Sequence, residues 1–335
     1  MWSIPAEWQP HECTWMAWPS AGYTLGETEA DHLVARQTWA NVANAIAEFE
    51  PVKMLVNPGE EELAAGFLNP GVSLHSAPLD DAWMRDIGPT FVTDESGEIA
   101  AVSWVFNGWG QQPWASWGKD AKVGEVVSGL AQKPGIQSNL VNEGGGIHVN
   151  GAGVILLTET VQLGQGRNPG LTKEQVESEL NEKLGTSHAI WIKRGLTRDY
   201  EEFGTRGHID IVACFADENT ILYHDQQNEQ HPDFEVSQEV RQVLESSGNF
   251  RLIAIPAPKK LRDSEGFVDY SYINHYVCNG AVILGSFDDE HDHIAKALIE
   301  NAYPGREVVL VDASALFERG GGIHCITQQQ PKGAA

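Results

Sequence analysis

The pentapeptide Gly-Gly-Gly-Ile-His occurs twice, at residues 144–148 and 320–324, with Glu143 ahead of the first copy and Cys325 behind the second. A repeated turn that presents a carboxylate once and a thiol once suggests an active site assembled from repeated units. Cys325 is the candidate nucleophile: the thiolate is the reactive form, and glycines ahead of it let the backbone approach a ligand closely. Gly207-His208-Ile209-Asp210 adds a histidine, the natural proton carrier near neutral pH, with an acid two residues away. In a strand, two residues apart means one shared face, so Asp210 would hold His208 or bind a cation. Asp86 supplies a further acid within Trp83-Met84-Arg85-Asp86-Ile87-Gly88-Pro89.

Each residue also has an ordinary explanation. Cys13, Cys214 and Cys278 fit buried apolar thiols, Glu143 a solvated turn acid, and Asp86 an ion pair with Arg85. Gathered in one pocket, however, three acids around a thiol would raise its pKa and silence it unless a cation sits among them. A planar guanidinium meets that need, because its donors match carboxylates in bidentate fashion. Zinc is the rival ligand, through His208, Asp210, Glu143 and Cys325 or through His291-Asp292-His293, but neither set has a zinc spacing such as HExxH. No metal is expected. The glycine triplets lack the Lys-Ser/Thr of a phosphate loop.

The elements that must carry these residues follow a rhythm. Hairpins with Gly, Asn or Asp turns are expected at 88–93 with 99–106, 147–150 with 154–158, 208–215 with 220–224, and 272–278 with 281–287. A fifth leading strand, 324–328, has no return strand after it, and the unpartnered run 13–18 is its expected mate. Helical patterning falls at 29–49, 120–132, 172–184, 235–246 and 290–302. Short apolar runs follow each helix, at 52–56, 136–141, 189–192, 250–255 and 308–311. The fold class is therefore α/β, with a ββαβ unit repeated five times in a pseudo-symmetric ring closed by the N- and C-terminal strands. Residues 1–335 form one domain, since no linker-like stretch divides them.

Composition sets the context. The chain has 335 residues, 41% hydrophobic and 21% charged, with 22 basic against 47 acidic residues for a net charge of −25. That balance excludes nucleic acid as a partner, because nothing basic is available to neutralise phosphates, and it favours cationic substrates. No apolar run approaches the ~20 residues of a membrane span, so no membrane partner is expected. The N-terminus lacks the basic and apolar regions of a secretion signal, and four scattered cysteines fit reduced thiols. A cytoplasmic location is expected.

Four ordered motifs, Trp83-Met84-Arg85-Asp86-Ile87-Gly88-Pro89, Glu143-Gly144-Gly145, Gly207-His208-Ile209-Asp210 and Ile323-His324-Cys325-Ile326-Thr327-Gln328-Gln329-Gln330-Pro331, resemble the agmatine deiminase family of the guanidino-group-modifying superfamily. The resemblance runs from Pro5-Ala6-Glu7-Trp8 to Pro331. It implies a five-bladed α/β propeller with Cys325 as nucleophile and His208 as general acid/base. Asp86, Glu143 and Asp210 would bind the guanidinium nitrogens, with Trp83 lining the pocket, and no cofactor or metal would be required. The implied reaction converts agmatine to N-carbamoylputrescine and ammonia through a covalent thiouronium on Cys325, a step of polyamine biosynthesis. The same chemistry on arginine, peptidyl-arginine or another alkylguanidine is the near alternative, and a non-catalytic guanidine- or polyamine-binding propeller is the alternative of another class. Family members are often dimeric or larger, which implies a homo-oligomer.

Two departures from the family pattern bear on this. Gly322 stands where many members have Asn, which removes one side-chain hydrogen bond near the nucleophile. Residues 194–206 carry Arg198 and Arg206 where some members have a shorter acidic stretch that helps to receive the far end of the substrate. A basic residue facing that end would favour a carboxylate or a neutral tail over an amine. His148 and His324 are expected to be structural.

Overall fold

The computed structural model describes residues 1–333. Five helices, α1 (Glu29–Ala47), α2 (Val123–Ala131), α3 (Lys173–Leu184), α4 (Asp233–Ser246) and α5 (Asp292–Ala302), recur along the chain between strands. Their starts and stops are chemical. Thr28 and Asp31 close a reciprocal capping box on α1, and Thr172 and Gln175 do the same on α3. Val176, Leu180 and Leu184 form the buried face of α3; truncating Leu180 to alanine there would cost about 2–5 kcal/mol.

Among the described residues, the strands form four three-stranded sheets and one of four strands. Every three-stranded sheet has the same plan, an antiparallel pair followed by a helix and a strand parallel to the second. The members are Thr90–Thr93, Ile99–Val105 and Gly135–Val141; Ile147–Val149, Val154–Thr158 and His188–Ile192; Ala213–Asp217, Thr220–Asp225 and Arg251–Pro256; and Tyr276–Cys278, Ala281–Ser286 and Glu307–Asp312. The middle strand of each is covered on both faces, as Ala281–Leu284 illustrates with four buried residues in a row. No helix among the described residues is long and apolar enough to cross a membrane.

The four-stranded sheet joins the two ends of the chain. His11–Ala17 runs antiparallel to Gln328–Pro331, with Trp15 opposite Gln328, and parallel to Val52–Val56. Trp15 Nε1 donates to Gln330 Oε1 at 2.9 Å, and Lys332 N–H donates to the Pro10 carbonyl at 2.8 Å. The pairing expected of residues 13–18 with the last strand is present. A fourth strand, Val72–Ser76, was not anticipated; it follows the short helix Glu61–Ala65 and pairs parallel to Val52–Val56.

Three expected strands are corrected, and all three carry site residues. Residues 208–215 are not one strand: a one-turn 3-10 helix, Ile209–Ile211, precedes Ala213–Asp217. The cause is tertiary, since the Asp199 carboxylate accepts from Gly207 N–H at 2.6 Å and His208 N–H at 3.1 Å, taking donors a strand ladder would use. Residues 324–328 likewise open with the 3-10 turn His324–Ile326, and the strand is confined to Gln328–Pro331. The strand expected over 272–278 is confined to Tyr276–Cys278. The candidate side chains therefore sit on tight turns ahead of strands, and the shared-face relation of His208 and Asp210 does not hold.

Candidate active site

Four turns bring the five expected residues together. Asp86 lies on the one-turn helix Met84–Ile87, Glu143 leads the Gly144–Gly146 turn, His208 and Asp210 flank the start of Ile209–Ile211, and Cys325 is the middle of His324–Ile326. Gly145 is the junction. Its N–H donates to Asp86 Oδ1 at 3.0 Å, and a Cβ added there would lie 2.5 Å from His208 Nδ1 and 3.0 Å from Asp210 Oδ2. Only a residue without a side chain lets the three groups meet over it.

The geometry separates a proton-handling side from a thiol side. His208 Nε2 lies 3.4 Å from Glu143 Oε2, and its Nδ1 is 3.8 Å from Asp86 Oδ1. Asp86 Oδ2 accepts from Trp109 Nε1 at 2.8 Å. Glu143 meets Arg167, whose Nε stands 3.0 and 2.9 Å from its two oxygens, while Arg167 Nη2 donates to the Thr205 carbonyl at 2.7 Å. On the other side Asp210 Oδ2 is 3.6 Å from Cys325 Sγ and 2.7 Å from His324 Nδ1. Asn274 Nδ2 reaches Cys325 Sγ at 3.3 Å. All five expected residues are at most 5% exposed. Trp83 is buried against Trp39, with ring centroids 5.4 Å apart, and its ring lies beside Gly321 and so near the nucleophile turn.

Three buried polar atoms of the expected site residues have no hydrogen-bond partner: His208 Nδ1, Asp210 Oδ1 and Trp83 Nε1. Burial opposes charge on Glu143, but Arg167 and His208 outweigh it and hold the carboxyl below its usual range. Burial likewise opposes a charged Asp210, and His324 with His208 overcomes it. Asp86 has weaker support, so burial raises its pKa against the pull of His208, with Asp210 and Glu143 adding to the rise. For His208 burial would lower the pKa; Asp86, Glu143 and Asp210 reverse that and lift it to about 9. The Cys325 thiol is pushed well above its ordinary value by burial and then by Asp210 and Asp86, partly offset by the Gly322 backbone and Asn274. The site as it stands holds a thiol, not a thiolate, and is set to receive a cation.

Sequence reasoning did not single out Arg167, Trp109 or Asn274 as site residues. Arg167 sits in an unpatterned polar loop, and nothing local marks it as the partner of Glu143. Asn274 answers the expected loss at Gly322. A Cβ at position 322 would collide with Asn274 Oδ1, so the glycine leaves room for an amide from another segment to touch the sulfur. Arg85, read as pairing with Asp86, turns away to the His324 carbonyl at 3.2 Å and Gln329 Oε1 at 2.8 Å. His324, expected to be structural, contacts Asp210 through its Nδ1.

Glu7, His148 and His324 bring three potential metal-ligating atoms within 4.8 Å of one another. Each of the three residues already has a protein partner. Phe215 N–H donates to His148 Nδ1 at 3.1 Å, which leaves the proton of the neutral ring on Nε2, and Arg85 Nη2 lies 3.6 Å from Glu7. The cluster fits a hydrogen-bonded network better than a cation site.

Comparison with known proteins gives a consistent picture. The family model described as Porphyromonas-type peptidyl-arginine deiminase matches residues 3–331. A putative agmatine deiminase of Streptomyces coelicolor is 53% identical over 336 residues, covering 98% of both chains. The agmatine deiminase of Pseudomonas fluorescens is 35% identical over 360 residues, covering 98% of this chain and 95% of that one. Among solved structures, the agmatine deiminase of Enterococcus faecalis superposes with a TM-score of 0.91 at 29% identity, covering 99% of this chain and 96% of that one.

Proposed function

The chain belongs to the Porphyromonas-type peptidyl-arginine deiminase family, and on that premise we propose that it hydrolyses agmatine to N-carbamoylputrescine and ammonia through a covalent adduct on Cys325. The observation that carries this reading is the unpartnered buried acceptor Asp210 Oδ1, beside a thiol that burial and neighbouring carboxylates keep protonated. A guanidinium supplies the missing charge and, in the same group, a donor for Asp210 Oδ1. Four repeats of one strand–strand–helix–strand plan, with a fifth sheet joining the chain ends, support a five-bladed propeller as the frame.

In this reading Asp86 and Asp210 grip the guanidinium and Trp83 walls it in. Glu143 was expected to bind the guanidinium as well. With its oxygens on Arg167 and His208, it acts instead on the charge and orientation of His208. Arrival of the cation lowers the thiol pKa, the thiol loses its proton to solvent as the substrate enters, and Sγ attacks the guanidinium carbon. His208, protonated because its pKa lies near 9, gives its proton to the amino group whose C–N bond breaks, and ammonia leaves a thiouronium on sulfur. Neutral His208 then takes a proton from water, the hydroxide adds to the same carbon, and the C–S bond breaks as the hydroxyl proton passes to sulfur, which restores the thiol and releases the ureido product.

The tail is read from a separate cavity of about 220 Å³ walled by Phe203 and Phe317 and lined by Glu201, Glu202, Asp269 and Glu318. Burial, and then repulsion from Asp199 and Asp233, pushes the Asp269 carboxyl up to about 7 against the pull of Arg198, which also lines the cavity. The two arginines that argued against an amine are occupied. Arg198 pairs with Asp263 at 2.6 Å and Glu265 at 2.8 Å, and Arg206 donates to the Tyr200 carbonyl and to Gln112. An amine tail is therefore favoured over a carboxylate. Supplying agmatine, arginine and a blocked arginine peptide separately, with ammonia and ureido product measured, tests the reading; failure to turn over agmatine would sink it.

A further inference from the structure

Asp210 is held by one oxygen and idle at the other. Its Oδ2 accepts from His324 Nδ1 at 2.7 Å and faces Cys325, whereas Oδ1 is buried without a partner. Beyond it, His324 Nε2 lies 2.9 Å from Glu7 Oε2, and Glu7 Oε1 accepts from Val277 N–H at 2.8 Å. A histidine with a carboxylate on each ring nitrogen donates from both and is an imidazolium. We propose that His324 is a positioning residue: the Glu7–His324–Asp210 chain fixes the rotation of Asp210 and keeps it ionised, leaving Oδ1 alone for the guanidinium. The inference rests on the functional reading above only in taking a guanidinium or amidinium as the ligand.

The surroundings leave this task to His324. Besides His324, the charged and titratable groups around Asp210 are His208, Arg85, Asp86 and the Cys325 and Cys214 thiols. Around His324 itself stand Glu7, Arg85, His148 and His275. Burial drives His148 down to about 3 and His275 to about 4, so both are neutral at working pH. Arg85 is committed to the His324 carbonyl and Gln329, and touches no oxygen of Asp210. His324 is thus the cation in direct contact with the acid that grips substrate. Replacing it with a neutral amide raises the pKa of Asp210, so the acid protonates at higher pH and the acid limb of reactivity moves upward.

The experiment compares alkylation of Cys325 in the full chain by chloroacetamidine, a cation, and by iodoacetamide, which is neutral, from acid to alkaline pH. Agmatine turnover is measured alongside. Wild type should favour the cation. In His324→Gln the preference at about pH 6 should fall about tenfold or more, and the acid limb for the cation should rise by about one to three pH units. Glu7→Gln should move both in the same direction by less, and it carries the test if His324→Gln does not fold. A folded variant of either kind that keeps the wild-type preference and limb overturns the proposal. Absence of agmatine turnover in wild type would count against the substrate reading alone, because the alkylation preference is read without it.

Discussion

Arg167 places a guanidinium of the protein's own on Glu143, with Nε 3.0 and 2.9 Å from the two carboxylate oxygens, in a pair buried on both sides. The pair is internal to the site and serves His208, whose Nε2 lies on the same Glu143 oxygen.

Breaking that pair should be costly. Arg167→Gln leaves Glu143 buried without its strongest partner, a loss of about 3–5 kcal/mol in stability. Thermal and urea denaturation would register it. If Arg167→Gln instead matches wild type in stability and turnover, the pair has no part in holding the site.

Cys325→Ala should abolish ammonia release from agmatine, by at least about a thousandfold, while the substrate still binds. Stopping wild type by acid during turnover and weighing the protein should show a mass increment on the peptide that contains Cys325. Residual turnover near wild-type level in the alanine variant would exclude a covalent route.

Asn274→Ala removes the amide that touches the sulfur. With that donor gone the thiolate is less well supported, so kcat/KM should fall about tenfold, equivalent to about 1.4 kcal/mol, and alkylation of Cys325 should need higher pH. The pH profile of alkylation separates this from a simple folding defect.

His208 makes stability depend on pH with a definite sign. Its pKa is about 9 in the folded chain against an ordinary 6.5, so the folded state binds the extra proton between these values. The stabilisation, about 3 kcal/mol, is fully present below about pH 6.5 and is lost as pH rises through 9. Urea midpoints of wild type and His208→Gln, followed from neutral to alkaline pH, should converge upward along that window. Parallel curves would contradict the raised pKa.

Asp269→Asn tests the tail cavity. KM for agmatine should rise about tenfold, while turnover of butylguanidine, which has no amine, should be unaffected. Equal effects on both substrates would remove Asp269 from tail recognition.

The parts of this architecture visible in the chain were those written locally. Glycine turns, helical patterning and the short apolar runs located all five helices and the strands after them, and the partnerless run near Trp15 pointed to the closing strand. The five candidate residues that the structure brings together were also visible, because each occupies a turn with a recognisable flank. The roles of Arg167 and His324 were not. Glu143 and Arg167 are 24 positions apart, and His324 and Glu7 are 317 apart, so neither pairing leaves a periodic or motif signal. The turn at Ile209–Ile211 escaped for the same reason: a distant acid, Asp199, captures backbone donors that the local apolar pattern would assign to a strand.

A run of aromatic rings leads from the buried site toward the surface. Trp109 donates to Asp86 and stacks on Trp114 at 5.3 Å, and Trp114 meets both Tyr23, at 4.6 Å, and Phe203, at 5.4 Å. Tyr23, Trp114 and Phe203 are all half-buried. A cation that draws on Asp86 disturbs the Trp109 hydrogen bond and with it the stack. The molecule thus carries its own optical probe, and occupancy of the reaction chamber can be followed as a change in indole emission without any label.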